Sequence, residues 1–317
     1  MKIEGLRKNY DVNSGIANID MHISNGTIHG FLGLNGSGKT TTMKIIMGLL
    51  RKDGGIIEYN GENYDPSRVT NRGRIGFSPD LPFYPPYLTG EELLCVYGRI
   101  RGFSKSEGQN EALNLLKMVD LQSYRSKKIG RYSRGMLSRL GIAVSLIGEP
   151  SMIILDEPTS GLDPAASLTI RNLLSEQRKS GVTILLSSHL LGEIQGICQK
   201  VTIIHRGKTL KEGPVKDIMR EFNNGQRYIA EFNNLPPPLL SEIKRIEGID
   251  EVSAIEKRMN VIKFRVSSDD DIREIIAKIA LKNGAVMVSC TSDEQSLEDL
   301  FLKLVGDYDD YRHRITK

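Results

Sequence analysis

Two neighbouring carboxylates follow a short apolar stretch near the middle of the chain. The run MIIL (152–155) reads as a buried strand, and Asp156 and Glu157 come directly after it. Burying one unpaired charge is unfavourable, and two like charges side by side are worse. A bound Mg²⁺ would make the pair tolerable, and alternating side chains let the two acids face different partners. The pattern predicts Asp156 in the metal shell and Glu157 as a general base; the alternative for Glu157 is a surface acid.

A glycine-rich stretch supplies the second chemical signal. GLNGSGKT (33–40) follows the apolar stretch HGFL and opens a helical pattern, which is the context of a phosphate-binding loop. Its glycines let backbone N–H groups converge, and the helix N-terminus adds partial positive charge. Lys39 can reach the β- and γ-phosphates, and the Thr40 hydroxyl can ligate Mg²⁺. The predicted nucleotide-binding residues here are Gly33, Leu34, Asn35, Gly36, Ser37, Gly38, Lys39, Thr40 and Thr41.

The composition sets broad limits on what these residues belong to. Charged residues make up 26% and the apolar set 39%, as in a globular protein. Lys plus Arg number 43 against 39 for Asp plus Glu, and a net charge of +4 is too small to indicate a nucleic-acid binder by itself. Cys95, Cys198 and Cys290 lie far apart, which favours a reducing compartment. No signal-peptide core and no apolar run of about 18 residues is found in the sequence, so we expect any membrane role to involve a partner.

The pattern of apolar residues predicts an α/β fold with two domains. Residues 1–220 alternate short strands with helices, with a helical insertion at about 84–147. Asn25-Gly26 and Asn60-Gly61 are hairpin signals, and Thr89 with Glu92 predicts a capping box. Residues 221–317 read in the order β-α-β-β-α-β, with a hairpin about Arg258-Met259, which predicts a small ferredoxin-like α+β domain.

The order of four motifs then carries a family resemblance. GLNGSGKTT, YSRGM, IILDEPTSGLD and SSH together resemble the nucleotide-binding domain of an ABC transporter, over roughly residues 1–215. The resemblance implies a phosphate-loop ATPase core with ATP and Mg²⁺ as its cofactors. It also implies a sandwich in which two such domains meet head to tail. Each phosphate loop then faces the partner's signature motif.

The resemblance assigns further residues to the nucleotide. Tyr10, on an early turn, matches the aromatic residue that stacks on adenine, with a buried or half-buried structural tyrosine as the alternative. Asp80 lies where the family usually has a glutamine near the metal. The residue is therefore either a metal ligand or a solvated acid on a loop. His189 matches the histidine that contacts the γ-phosphate, although a histidine after a strand is more often structural.

Three residues match the family's dimer contacts. Ser133 and Gly135 of YSRGM match the signature motif, whose commoner form is LSGGQ, so Arg134 and Met136 are departures from it. The serine and one glycine still allow a hydroxyl and a helix N-terminus to face a partner's γ-phosphate. Asp163 of SGLD matches an acid that helps to hold the dimer together.

The resemblance also implies partners and a location. We expect a second ATP-binding subunit, in a homodimer or a heterodimer, and an integral membrane permease; the segment 81–90, LPFYPPYLTG, is where the family receives a short permease helix. The alternative for this segment is a rigid loop whose aromatics fold inward. The subunit would then lie in the cytoplasm, peripheral on the inner face of the membrane. The ending SLEDLFLKLV and the basic YSRGM resemble drug-exporter ATPase subunits and favour export.

Two other functions remain as alternatives. One is a soluble ABC-type ATPase that acts on nucleic acid or the ribosome, but the single phosphate loop and the lack of a long insertion between motifs argue against it, so no nucleic acid is expected. The other is a nucleotide-binding regulator without hydrolysis. The presence of Lys39, Asp156, Glu157 and His189 argues against that function. A gene for a polytopic membrane protein beside this one would favour the transporter.

Overall fold

The computed structural model describes the chain except for residues 12–13, 66–74, 81, 190–191, 193–195, 223–225, 255–259, 267–272, 294–295 and 316–317. The chain divides into two compact units, Met1–Val215 together with Asp307–Lys317, and Lys216–Gly306. The sequence-based division assigns all of residues 221–317 to the second domain, whereas this grouping returns the end of the chain to the first unit.

The first unit is built around one ten-stranded sheet, in the order β5-β4-β1-β2-β10-β9-β3-β8-β7-β6. The β5-β4-β1-β2 part is antiparallel, and neighbouring strands from β9 through β3, β8 and β7 to β6 run parallel. The strands are β1 (Lys2–Asp11), β2 (Ser14–His22), β3 (Ile28–Leu32), β4 (Gly54–Tyr59), β5 (Glu62–Asn63), β6 (Ile75–Ser78), β7 (Met152–Leu155), β8 (Thr183–Ser188), β9 (Lys200–His205) and β10 (Lys208–Pro214).

The parallel strands bring the predicted site residues to one edge. Leu32 pairs with Ser188, Leu186 with Leu155, and Leu155 with Ser78, so four strands end almost level. Each strand is followed within a few residues by one part of the site. Ligands of open α/β sheets bind at this carboxyl edge. The fold therefore brings the phosphate loop, Asp80, the Asp156-Glu157 pair and His189 to the same edge of the sheet.

The buried faces explain why these strands are central. β3, β7 and β8 are buried along their whole length, as expected for strands covered on both faces. The predicted hairpin at Asn25-Gly26 is therefore wrong, because β3 pairs with β8 and β9 and not with β2. The Asn60-Gly61 hairpin is confirmed: it joins β4 to β5, with φ of 54° and 81° at its two residues.

The helices α1 to α5 belong to the first unit, and three of them form the predicted helical insertion. The capping box of α2 is confirmed, since Thr89 Oγ1 accepts from Glu92 N–H and Glu92 Oε2 accepts from Thr89 N–H. No helix in the described parts of the chain is long and apolar enough to cross a bilayer. The helices are α1 (Lys39–Ile46), α2 (Gly90–Ile100), α3 (Lys105–Met118), α4 (Arg134–Leu146) and α5 (Pro164–Lys179).

The second unit has the predicted ferredoxin-like order. Its antiparallel sheet runs β12-β13-β11-β14, and apolar side chains of α7 and α8 pack against it. The predicted turn at Arg258-Met259 lies outside the described residues. Its elements are α6 (Val215–Phe222), β11 (Gln226–Phe232), α7 (Pro237–Ile243), β12 (Ile249–Ala254), β13 (Val261–Val266), α8 (Arg273–Lys282), β14 (Met287–Ser292) and α9 (Leu297–Ile315). The first part of α9 belongs to the second unit, and the part from Asp307 onward groups with the first.

The central strand contains a titratable side chain that should make the fold acid-sensitive. His29 in β3 is fully buried, and its Nε2 lies 2.8 Å from Thr202 Oγ1. Burial, helped by the charge of Lys200, lowers the pKa of His29 to about 3, whereas an unfolded histidine has 6.5. The unfolded chain therefore binds a proton that the folded chain excludes. Stability is lost as the pH falls from the unfolded value towards the folded one.

We expect His29 to reduce the free energy of unfolding by about 2 kcal/mol between about pH 7.5 and about pH 5. Urea unfolding of the wild type and His29→Leu at both pH values measures it. The variant loses the bond to Thr202 at every pH, so the difference in pH dependence is the readout and not the absolute stability. Equal pH dependence in both proteins would mean that His29 is protonated in the folded state.

Candidate active site

A cavity of about 380 Å³ lies at the carboxyl edge of β3, β8, β7 and β6. It contains most of the residues that the sequence predicts, drawn from separate parts of the chain. Gly33 and Ser37 belong to the same loop without lining the cavity. The lining residues are Tyr10, Gly15, Leu34, Asn35, Gly36, Gly38, Lys39, Thr40, Thr41, Asp80, Asp156, Glu157, Ser160 and His189.

The phosphate loop (residues 33–40) connects the end of β3 to the start of α1. Gly36 and Gly38 have φ of 80° and 110°, a region that side-chain-bearing residues rarely adopt. Gly38 is the N-cap of α1, and no side chain caps the helix. The N–H groups of the first turn have no acceptor within the helix, so they are available to a ligand at the N-terminus of α1. This arrangement suits a phosphate anion.

Lys39 places its charge between the loop and the acid pair. Its Nζ lies 2.6 Å from the Gly33 carbonyl oxygen and 3.4 Å from that of Leu34, and it is 3.4 Å from Glu157 Oε1. Only 6% of the side chain is exposed. The ammonium group is thus held in the cavity wall, where it opposes the charge of Glu157.

Asp156 is held by two hydroxyl groups from neighbouring elements. Thr40 Oγ1 donates to Asp156 Oδ2 over 2.8 Å, and Ser187 Oγ donates to Oδ1 over 2.6 Å. A hydroxyl and a carboxylate side by side are the hard oxygen donors that Mg²⁺ prefers. Among the residues that the structure describes, no three His, Cys, Asp or Glu side chains form a complete metal cage. Mg²⁺ usually takes only one or two protein carboxylates, with phosphates and waters completing its shell, so the donor set fits.

Glu157 contacts different partners from Asp156, but strand alternation is not the cause, because both acids lie beyond the end of β7 at Leu155. Its Oε2 lies 2.7 Å from His189 Nδ1, and its backbone N–H donates to Ser187 Oγ over 2.9 Å. The residue has a φ of 50°, a left-handed conformation that costs about 1–2 kcal/mol in a residue with a side chain. The acid is therefore fixed at the cavity with one oxygen towards His189 and the other towards Lys39.

Asp80 reaches the same cavity from the end of β6. Burial raises the pKa of the Asp80 carboxyl, and the charges of Asp156 and Glu157 raise it further. Its Oδ1 lies 4.0 Å from Arg134 Nη2 in the signature segment (residues 132–136). Asp80 thus faces the acid pair on one side and a cation from another motif on the other.

The three predicted dimer residues lie outside this cavity. Ser133 is the N-cap of α4, with its Oγ accepting from Met136 N–H over 3.3 Å. Asp163 is the N-cap of α5, with its Oδ1 accepting from Ala166 N–H over 2.9 Å. A β-carbon on Gly135 would lie 3.4 Å from the Ala166 β-carbon, so the two helix starts are adjacent. Within one chain, these residues do not face their own phosphate loop.

Tyr10 corrects one detail of the sequence interpretation. The residue lies in strand β1 and not on a turn, although it does line the cavity. About half of the residue is exposed, at 52%, so Tyr10 is not buried, although a half-buried structural tyrosine still fits this exposure. The ring is therefore accessible to a ligand at the cavity mouth.

Sequence reasoning missed three residues of the site. Gly15 and Ser160 line the cavity, and Ser187 bonds both to the Asp156 carboxylate and to the Glu157 backbone. Ser187 had a signal in the sequence, because it precedes His189 by two residues on a strand next to the one that delivers Asp156. Two neighbouring parallel strands bring such end residues into contact.

Comparison with known proteins agrees with this geometry. A family model for the ABC transporter matches residues 16–160. The bacitracin transport ATP-binding protein BcrA of Bacillus licheniformis is 34% identical, over 96% of this chain and 97% of that protein. The chain belongs to the ATP-binding proteins of the ABC transporter family. A second model, for the C-terminal domain of DrrA1-3-like ATP-binding proteins, matches residues 213–305.

Further relatives extend the likeness over the whole chain and to solved structures. The daunorubicin resistance ATP-binding protein DrrA2 of Streptomyces coeruleorubidus is 28% identical, over 96% of this chain and 95% of that protein. The solved structure of an ATP-binding subunit of an ABC transporter has a TM-score of 0.62 and 31% identity, covering 70% of this chain and 92% of its own. A dimeric ATP-binding cassette bound to ADP and Pi shares the fold, with a TM-score of 0.62 and 24% identity, over 68% of this chain and 98% of its own.

Membership in the family establishes the general activity of the chain. As an ABC transporter ATP-binding subunit it binds and hydrolyses ATP and works with a membrane permease. The predicted ATPase core, with its helical insertion and its small ferredoxin-like domain, is confirmed.

Proposed function

We propose that this subunit powers export by hydrolysing Mg²⁺-ATP in a head-to-tail dimer, with Glu157 as the general base. The observation that carries the proposal is the position of Glu157, with one carboxylate oxygen 2.7 Å from His189 Nδ1 and the other 3.4 Å from Lys39 Nζ. A carboxylate between a histidine and a phosphate-binding lysine is well placed to take a proton from an attacking water.

The other cavity residues bind the phosphates, the metal and the adenine. Lys39 and the loop amides bind the phosphates, and His189 orients Glu157 and the terminal phosphate. Thr40 and Asp156 hold the metal, with Ser187 fixing the carboxylate of Asp156. Mg²⁺, when bound there, supplies positive charge to the phosphates and neutralises the acid pair. Tyr10 is exposed at the cavity mouth and offers a stacking face to the adenine.

The location of the signature segment supports a head-to-tail dimer. Ser133, Gly135 and Asp163 do not line the cavity of their own chain, which supports contact with nucleotide bound to a second subunit. The start of α4 offers unpaired N–H groups and a hydroxyl to the partner's γ-phosphate. The second subunit is either an identical chain or a related one.

Export is supported by the full-length similarity, including the C-terminal domain, to proteins named for bacitracin transport and daunorubicin resistance. We propose that the substrate is an antibiotic and that the permease selects it. Phe83 and Tyr87 of the segment 81–90 are 92% and 70% exposed, which supports permease docking, whereas Tyr84 between them is partly buried. The subunit would then lie on the cytoplasmic face of the membrane.

A transport assay tests this function. We would co-express the chain with the permease of its gene neighbourhood, make inverted membrane vesicles and measure ATP-dependent uptake of labelled bacitracin or daunorubicin. Uptake that depends on ATP and is lost in Glu157→Gln supports export. Normal ATP hydrolysis without uptake of either compound would contradict the substrate class, and uptake only into right-side-out vesicles would contradict the direction.

Asp80 gives a prediction about the metal. Burial and the charges of Asp156 and Glu157 raise the pKa of Asp80, because both oppose its ionisation. A bound Mg²⁺ would offset that opposition, and the ionised Asp80 would then add negative charge beside the metal where the family has a neutral amide. We expect Asp80→Gln to leave the ATP dissociation constant within about twofold, but to raise the Mg²⁺ concentration needed for half-maximal turnover about threefold to tenfold. Asp80→Asn removes the charge and keeps the length of the side chain, so it separates the effect of charge from the effect of side-chain length. An unchanged Mg²⁺ titration in both variants would make Asp80 a solvated loop acid.

A further inference from the structure

The phosphate loop is supported from outside the cavity by the turn between β9 and β10. The Gly207 backbone N–H donates to the Ser37 carbonyl oxygen over 2.9 Å. The Gly207 carbonyl oxygen accepts from the N–H groups of Ala17 and Asn18 over 2.8 and 2.9 Å. Ser37 lies between the two left-handed glycines of the loop. One residue of the turn, Gly207, therefore connects the middle of the phosphate loop to β2 through its N–H and its carbonyl group.

This turn is itself in an unfavourable conformation. Gly207 has a φ of 71°, and a β-carbon there would lie 2.7 Å from the Gly15 carbonyl oxygen. Arg206 has a φ of 46°, although it carries a side chain. A left-handed residue with a side chain costs about 1–2 kcal/mol and persists only where its surroundings hold it. The β9–β10 hairpin favours this conformation, because residues 206–207 are the two positions between the paired residues His205 and Lys208, and contacts from another segment would stabilise the turn further.

Those contacts come from the end of α9. Asp309 Oδ1 lies 3.2 Å from Arg206 Nη2 and 3.2 Å from His205 Nε2, so one carboxylate oxygen bridges two consecutive residues of the turn. The Tyr308 ring meets the His205 ring edge to face, with centroids 5.6 Å apart. The His205 side chain is only 9% exposed and that of Asp309 29%, so these contacts are partly shielded from solvent. The end of the helix thus holds the two residues that precede Gly207.

We propose that Asp309, assisted by Tyr308, is a positioning residue for ATP binding, acting through the Arg206-Gly207 turn on the phosphate loop. Neither residue lines the nucleotide cavity, so neither is catalytic. By fixing the turn, Asp309 keeps the Ser37 carbonyl engaged and the loop amides in the arrangement that phosphates require. Without it the loop must be ordered when the nucleotide binds, and that ordering lowers affinity.

The first test compares affinity with stability in the full-length chain. Asp309→Asn keeps the size of the side chain and removes its charge, and we expect it to raise the dissociation constant for Mg²⁺-ATP about fivefold. Glu298→Gln is the matched control, since Glu298 is an exposed acid on the same helix. Calorimetry below the melting temperature gives the affinity, and a thermal scan without nucleotide gives the stability. A lower melting temperature with the wild-type dissociation constant would make Asp309 a structural residue only and would overturn the proposal.

The second test uses the reciprocity of coupled sites. If Asp309 strengthens ATP binding, then ATP must strengthen the Asp309 contacts by the same factor. Hydrogen exchange of peptides that cover 203–209 and 305–311 should slow when Mg²⁺-ATP is added to the wild type, and should change less in Asp309→Asn. Lys39→Met supplies the baseline, because it removes the charge that contacts phosphate and leaves the turn unchanged. If Mg²⁺-ATP leaves the exchange rates of both peptides unchanged in the wild type, the proposal is wrong, and the assignment of the ATP site is unaffected.

Discussion

Glu157→Gln is expected to reduce ATP hydrolysis by about 10²- to 10⁴-fold while ATP still binds with nearly the wild-type affinity. Gln keeps the size of the side chain and one acceptor for His189, but it cannot take a proton from water. Asp156, Thr40 and Lys39 are untouched, so the phosphate and metal contacts remain. The measurement is steady-state phosphate release, with calorimetric ATP binding on the same protein. Glu176→Gln is the matched control, because Glu176 is an exposed acid on α5 outside the cavity.

The same substitution should reveal the dimer. When cleavage is blocked, the ATP-bound dimer accumulates, because the nucleotide that joins the two subunits is not consumed. Size-exclusion chromatography with light scattering, with and without Mg²⁺-ATP, measures this. Adding Ser133→Arg should remove the dimer, since a long cation cannot occupy the place of a small hydroxyl at the partner's phosphate. ATP hydrolysis by Glu157→Gln at the wild-type rate would show that Glu157 is not the base.

The convergence of the site was predictable because each motif follows an apolar strand. The glycine loop follows β3, the acid pair follows β7 and the histidine follows β8, and strands buried on both faces belong to a parallel sheet. The carboxyl ends of parallel strands share one edge. Asp156 and Glu157 do contact different partners, but the left-handed backbone of Glu157 after the end of β7 separates them, and strand alternation does not.

The errors came from contacts that are distant in sequence. Asn25-Gly26 has the composition of a hairpin turn, but β3 gains more by pairing with β8 and β9 in the centre of the sheet. Ser187 was overlooked because its hydroxyl matters only when β7 and β8 lie side by side. The end of α9 reads as an ordinary charged helix, and its contact with residues 205 and 206 crosses about a hundred residues of chain, as the separation of 104 between His205 and Asp309 illustrates. Local patterns contain no information on such pairings.

Lys39→Met should weaken ATP binding by roughly 10- to 100-fold, which corresponds to about 1.5–3 kcal/mol for a lost charge-assisted hydrogen bond. Met keeps most of the length of the side chain and removes the ammonium group that lies in the cavity wall. The loss has a second cause, because Glu157 then has no cation at 3.4 Å and its negative charge repels the phosphates. The control is Lys44→Met on the same helix, where the lysine is exposed in the last turn and does not line the cavity.

The unpaired charge of Glu157 in Lys39→Met can be tested by a second substitution. Adding Glu157→Gln to Lys39→Met removes the unpaired negative charge, so the double variant should bind ATP several-fold more tightly than Lys39→Met alone. Glu157→Gln by itself has little effect on binding, so the two substitutions should not be additive. A double-mutant cycle of calorimetric dissociation constants at low salt measures the coupling. Strict additivity would mean that Lys39 and Glu157 do not interact when ATP binds, and the role of Lys39 would then be limited to its direct contact with phosphate.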